Sequence, residues 1–213
     1  VAGGYGIGAR KFKPRRAAFT QGDKPYSSGG AALKKLVKAD VKRFETRMSQ
    51  MAGIAPLKTT DLSDYHPETQ SCETQFRIRG RRRDFHGRIR TVKCLEDNLL
   101  LKKVVSEPGQ GQVVVVDGGA SLRCALMGDV IASLAAKNGW AGAIIHGAIR
   151  DVQAIDELDF GVKALGSNPK RSNKTGAGEV DVAVTFGGVT FVPGHWLYSD
   201  EDGILVSETQ LAH

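Results

Sequence analysis

Two short apolar runs, GQVVVVD at 111–117 and AGAIIH at 141–146, stand either side of the segment DVIASLAAKN at 129–138. Each run is bounded by turn residues and is too short to span a helix of ordinary length. Both therefore read as strands buried on their two faces. The segment between them reads as a helix ended by Gly139. Strand, helix and strand in that order predict a parallel pair joined by a crossover helix, and hence a layered α/β domain. The surrounding pattern agrees. A short capped helix is expected at 59–65, a strand at 88–94 and a helix at 97–105. Short strands are expected at 180–186, 189–192, 196–199 and 203–207, separated by Gly and Asp turns.

Upstream the chain changes character. Residues 1–58 hold thirteen Lys/Arg against three Asp/Glu, a balance of +10, whereas residues 59–213 carry −3. Residues 1–30 form a basic Gly-rich arm with too little apolar surface to build a core. It is expected to lie on another protein chain or on nucleic acid, and its composition is like that of an organellar (mitochondrial or plastid) targeting segment. Leu33, Leu36, Val37, Val41, Phe44 and Met48 then recur at helical spacing, with Lys34, Lys35, Lys38, Lys42 and Arg43 opposite. This is a basic amphipathic helix, suited to an acidic partner, a membrane surface or its own domain. Gly53 and Pro56 end it, so the expected division is 1–30, 31–56 and 57–213.

Composition closes several classes. With 41% hydrophobic and 25% charged residues, the 213-residue chain is neither fibrous nor disordered throughout. No run approaches the ~18 apolar residues of a membrane-spanning helix. Cys72, Cys94 and Cys124 are an odd number without metal-ligand spacing, so neither a disulfide framework nor a zinc site is indicated. The five histidines likewise show no ligand spacing. Gly118–Gly119 lacks the spacing of a dinucleotide fingerprint. Seven arginines between Arg77 and Arg90 could form an RNA or phosphate patch.

The sharpest chemistry follows the second buried strand. The sequence HGAIRD reads as a Gly turn at 147 presenting Arg150 and Asp151 past the strand's carboxyl end, where α/β proteins place ligands. Asp129, at the start of the crossover helix, should reach the same edge. The first-turn amides around Gly128–Ile131 can cradle a carboxylate or phosphate, Arg150 can clamp an anion, and two carboxylates suit Mg²⁺ or Mn²⁺. A surface Arg–Asp pair and a helix cap at Asp129 would look the same at this stage.

These residues, with GRIRTVKCLEDN (87–98), VVVVDGGASLRCALMGD (113–129), NGWAGAIIHGAIRDV (138–152), ELDFGVKALGSNP (157–169) and HWLYSDEDGILVS (195–207), resemble the RraA-like family. That family holds regulators of ribonuclease activity and 4-hydroxy-4-methyl-2-oxoglutarate aldolases. The aldolase signature is Asp, twenty residues, Arg, Asp, matched here by Asp129, Arg150 and Asp151. The resemblance implies a three-layer β/β/α sandwich of the swivelling-domain type, a homotrimer, and a site between subunits. It implies that Asp151 ligates Mg²⁺ or Mn²⁺, with Asp129 reaching the metal through water. Arg150 would hold the oxygen that becomes an enolate, and the amides of Gly128, Asp129, Val130 and Ile131 the carboxylate of a small 2-oxo acid. Family aldolases also bring an acid from a neighbour's C-terminal segment, and this chain, with only Glu208 near its end, departs from that pattern. The implied activity is aldol cleavage, with oxaloacetate decarboxylation beside it. The rival readings are a regulator of RNA-processing enzymes and a structural subunit of a large organellar assembly.

Overall fold

The run Val113–Val116 divides between two cores. Val113 and Val115 point to one face of the sheet, Val114 and Val116 to the other, and all four are fully buried. A strand covered on both sides is what an unbroken apolar run specifies, because neither set of alternating side chains is left to water. The computed structural model describes residues 58–212. The basic arm and the amphipathic helix expected at 31–51 lie outside the described residues.

Four helices occur among the described residues: α1 (Thr59–Tyr65), α2 (Leu99–Val105), α3 (Asp129–Lys137) and α4 (Val152–Asp156). The strands are β1 (Gln70–Ser71), β2 (Arg77–Arg79), β3 (Phe85–Lys93), β4 (Val113–Asp117), β5 (Ala125–Met127), β6 (Gly142–Ile149), β7 (Gly161–Ser167), β8 (Glu179–Val180), β9 (Val184–Phe186), β10 (Val189–Phe191), β11 (Trp196–Ser199) and β12 (Ile204–Ser207). The main sheet runs β1-β12-β11-β3-β4-β6-β7-β2, with β5 on the end of β6 and β8 on the end of β3. β3, β4, β6 and β7 are parallel neighbours, and the expected β4-α3-β6 crossover is present. β9 and β10 form a separate hairpin.

The layers follow from which residues each face buries. Val114, Val116, Ala143, Ile145, Val162 and Ala164 pack against Leu101 and Val104 of α2, Ile131 and Ala135 of α3, and Ile155 of α4. On the opposite face Ile89, Val113, Val115 and Ile144 meet Phe186 and Phe191 of the hairpin, Leu197 of β11, and Ile204 and Val206 of β12. Helices on one face of a curled mixed sheet and strands on the other give the expected β/β/α layering. At roughly 25 cal/mol per Å² of apolar surface, these two cores are the main stabilising term. Cys72, Cys94 and Cys124 are buried thiols, and burial pushes Cys94 up to about 12. None is disulfide-bonded.

Two local expectations change. Residues 180–186 are two strands, not one, because Asp181 takes a left-handed φ of 56° and donates its amide to Thr91 O, breaking the run. β6 does not close at Gly147. It continues to Ile149, since β5 offers new pairing partners, Ala125 to Ala148 and Met127 to Ile149. A register shift against β7 between Ile145 and Ala148 absorbs the glycine. Arg150 and Asp151 therefore follow a longer strand directly, with no turn between.

Candidate active site

α3 begins where β5 ends, and its first residues meet the end of β6. Gly128, extended at φ −128° and ψ −175°, is the residue before the helix, so Asp129 is the first helical residue and does not serve as the cap. The first intrahelical bond runs from Ala132 N to Gly128 O at 3.0 Å. The amides of Asp129, Val130 and Ile131 therefore have no intrahelical acceptor and carry the positive end of the helix dipole. Arg150 is fixed beside them by its amide, which donates to Met127 O at 2.9 Å.

Asp151 follows in the left-handed region, φ 54° and ψ 40°. A non-glycine residue there costs on the order of 1–3 kcal/mol, a strain that clusters at functional sites. Its carboxylate lies 3.1 Å from Arg150 Nε. Gly128 is held to its size by the same pair. A Cβ there would stand 2.8 Å from Asp151 Oδ2 and 3.2 Å from Arg150 Nε. The glycine thus lets the two side chains lie over the start of the helix.

The result is a cavity of about 250 Å³ lined by Gly128, Asp129, Val130, Ile131 and Arg150. Asn98, Lys102, Arg171, Ser172 and Lys174 line the rest with Ala125. That volume suits a small organic acid, lying below the roughly 300–1,000 Å³ of drug-sized pockets. Asp129, Arg150 and the helix amides are brought together as the sequence predicts, and Asp151 adjoins them through Arg150 and Gly128.

Sequence reasoning did not single out the lining contributed by Asn98, Lys102 and residues 171–174. Asp97, 2% exposed, anchors the segment that carries Arg171, Ser172 and Lys174. Its Oδ2 accepts from Thr175 N at 2.5 Å and Thr175 Oγ1 at 2.8 Å, and its Oδ1 from Leu99 N at 2.9 Å. Burial opposes ionisation of Asp97, but these hydrogen bonds outweigh it and hold the carboxyl below its ordinary range. Asn173 N donates to Glu96 O and Asn98 N to Asn173 O, so the segment 170–176 is laced to the start of α2. The legible signal was the basic run KRSNK at 170–174.

The fit to a divalent metal can be judged from the donor set. Among the described residues no group of three or more His, Cys, Asp or Glu side chains is placed to hold an ion. Asp129 and Asp151 offer two hard carboxylates. Mg²⁺ is commonly held by one or two carboxylates together with water and ligand oxygens, so the donor type fits, with Asp129 lining the cavity and Asp151 Oδ2 lying against Arg150 Nε.

The arginine-rich segment has another fate. Arg79 pairs with Asp156, Arg82 with Asp159 and Arg83 with Glu201, each at 3.0 Å, while Arg90 binds Glu107 at 2.7 Å and Asp181 at 2.8 Å. Arg88 lies over the Trp196 ring at 5.5 Å. His146 is half-buried, stacked on Phe186 with Nδ1 3.3 Å from Asp117 Oδ1. Trp140 is buried and donates Nε1 to Glu107 O.

A family model described as Aldolase/RraA, RraA-like, matches residues 59–206. Among solved structures, the RNA-processing inhibitor RraA of Thermus thermophilus is 46% identical. That likeness covers 74% of this chain and 96% of that one, with a TM-score of 0.72. A protein of Geobacillus kaustophilus described as an S-adenosylmethionine:2-dimethylmenaquinone methyltransferase is 44% identical over 73% of this chain and 97% of its own, also at 0.72. RraAS2 of Streptomyces coelicolor, described as an unusual member of the RNase ES inhibitor RraA family, is 26% identical over 70% and 76%, at 0.57. The activities in these descriptions differ, as expected when one fold carries several functions.

Proposed function

Because the chain belongs to the RraA-like family, whose members include RNA-processing inhibitors and 4-hydroxy-4-methyl-2-oxoglutarate aldolases, we propose that its cavity is the active site of a divalent-metal-dependent aldolase and decarboxylase of 2-oxo acids. The observation that carries this reading is the convergence of Asp129, Arg150 and three acceptor-free helix amides on one small cavity, with Asp151 strained into place beside Arg150.

Cleaving the bond next to a 2-oxo acid leaves an electron pair that becomes an enolate, and the site must stabilise that charge. Arg150 would donate to the 2-oxo oxygen where the charge develops. The amides of Gly128, Asp129, Val130 and Ile131 would hold the carboxylate and fix its orientation. Mg²⁺ or Mn²⁺, held by Asp151 and by Asp129 through water, would supply further positive charge at that oxygen. In this reading the chain works as a homotrimer, and RraA-like proteins are typically oligomeric.

The test is pyruvate formation from 4-hydroxy-4-methyl-2-oxoglutarate and from oxaloacetate with Mg²⁺ or Mn²⁺ present. Turnover that chelator abolishes is expected. Metal-loaded protein silent with both acids overturns the reading. Calorimetry adds an independent arm: Asp151→Ala should lose metal binding, and equal binding by both proteins removes the proposed ligand.

A second reading, regulation of an RNA-processing enzyme, is favoured by the 46% identity to an RNA-processing inhibitor. It needs a protein surface and no turnover, so inhibition of RNA cleavage by the Arg150→Ala protein would support it. The structural-subunit reading rests on residues 1–58, and the proposed contact of residues 1–30 with another chain or nucleic acid belongs with it. Loss of that contact on deleting residues 1–30 is its test.

A further inference from the structure

Lys163, on β7, is a buried lysine that takes no part in the proposed reaction. Val162 and Ala164 on either side of it belong to the core beneath the helices, so strand alternation turns Lys163 toward the opposite core. Its register partners, Ile144 of β6 and Ile78 of β2, are apolar. Lys163 is 4% exposed, and its Nζ donates to Gly203 O at 2.6 Å. Gly203 lies in the turn between β11 and β12, and β3, β4 and β6 separate β11 from β7 in the strand order. The bond therefore joins two parts of the curled sheet that are not hydrogen-bonded neighbours, and it closes the seam between them.

The seam gives this ammonium little else. No ion pair joins Lys163 to a carboxylate among the described residues. Asp200, in the same turn, is already occupied. Its Oδ1 accepts from Thr59 Oγ1 at 2.7 Å, Asp202 N at 3.0 Å and Gly203 N at 3.3 Å, and its Oδ2 from Thr59 N at 2.7 Å. Ser199, just before it, has a buried hydroxyl without a hydrogen-bond partner. A charged lysine brings three donors, and burying it without a counter-ion in contact is costly.

The charged and titratable groups that face Lys163 are Asp200 and Asp202 in the turn, Cys72 after β1 and Arg83 before β3. Burial pushes the amine down to about 8, against the pull of Asp200, Cys72 and Asp202. Burial also pushes the Cys72 thiol up, away from that range. For Asp200 burial opposes ionisation, but the bonds from Thr59, Asp202 and Gly203 outweigh it and hold the carboxyl below its ordinary range.

We propose that Lys163 is a proton-operated latch on this seam: the neutral amine keeps the β11–β12 turn closed on β7, and uptake of a proton draws the side chain into water and frees the turn together with the start of α1. Thr59 is released with the turn because Asp200 holds both its amide and its hydroxyl. The sign is set by linkage. The amine binds its proton more weakly in the closed state than in water, so added protons favour every state that exposes it. That bias is fully present below about 8 and disappears as pH rises from there to 10.5.

The experiment is amide hydrogen exchange on the full chain at about pH 7 and pH 9, corrected for the intrinsic exchange rate, with Thr59 and Asp202 as reporters of the seam and Val114–Val116 as reporters of global unfolding. At the lower pH the seam amides should exchange faster than those of β4. Their opening equilibrium should fall roughly tenfold at the higher pH, the ratio expected for a proton bound at about 8 when closed and 10.5 when open. Lys163→Met should abolish this dependence, and Lys163→Arg, charged at both values, should keep the seam loose throughout. Seam amides no faster than those of β4, equal opening at the two pH values, or a dependence that survives Lys163→Met overturns the latch. Should Lys163→Met not fold, the Lys163 Cε resonance of wild type decides: titration near 8 is expected, and titration at the ordinary 10.5 overturns the proposal.

Discussion

Two basic regions of this domain use the same residue types to opposite ends. The segment Arg77–Arg90 is the densest charge run in the described part of the chain, yet most of its guanidinium groups are spent on the protein itself. Arg90 bridges Glu107 and Asp181, and Arg79, Arg82 and Arg83 each hold a carboxylate 77 to 118 residues away. The cavity's cations are fewer and scattered in sequence, at 102, 150, 171 and 174, and three of the four have no carboxylate partner among the described residues. Density in sequence is thus a poor guide to a binding surface. What distinguishes a ligand site is positive charge left unneutralised around a concavity.

Substitutions can sharpen or break that contrast. The largest effect is expected from Arg150→Ala, which should cut kcat for oxaloacetate by at least ~100-fold, the scale of losing a charge-stabilising donor. Its melting temperature should stay near that of wild type, because the neighbour it pairs with, Asp151, is exposed. A drop in stability with kcat intact would place Arg150 among the structural arginines.

Asp97→Asn comes next. It weakens buried, charge-assisted bonds to Leu99, Thr175 and Gly176 and should cost about 2 kcal/mol in urea melts at pH 7. The carboxyl is held below its ordinary 3.8 in the folded protein. Its contribution is therefore present above that pH and lost as pH falls through the depressed value. The gap between wild type and variant should close in melts below pH 3.8.

Arg90→Ala should cost about 1 kcal/mol, since Asp181 holds its part-buried guanidinium bidentately and Glu107 accepts one further bond. Arg83→Ala should cost less than about 0.5 kcal/mol, because its partner Glu201 is exposed and water screens the pair. Neither should change kcat. A loss of turnover from Arg90→Ala would mean that the arginine-rich segment also serves the site.

Much of this was legible beforehand in the residues themselves. Val113–Val116 had to be a strand buried on both faces, Asp129–Lys137 had to cross over, and Arg150 and Asp151 had to emerge at the sheet edge beside Asp129. Those inferences use only period, turn residues and chain direction, which are local properties. The strand β5 and the continuation of β6 to Ile149 were not legible, because Ala125–Met127 has no periodic signal of its own. It becomes a strand by pairing with Ala148 and Ile149.

The amino-acid sequence by itself determined the α/β layering, the parallel crossover and the membership of Gly128, Asp129 and Arg150 in one site. Each is read from the consecutive segments between Val113 and Asp151, where chain geometry leaves few alternatives. Only the tertiary structure decided which cations are neutralised and which face the cavity. Arg90 meets Asp181 and Arg83 meets Glu201 across 91 and 118 residues, and Lys174 joins Asn98 and Arg150 only once Asp97 has anchored the segment beside it. Ion pairing depends on distance in space, and a chain that returns to the same sheet edge from four separate segments sets those distances by packing, not by order along the sequence.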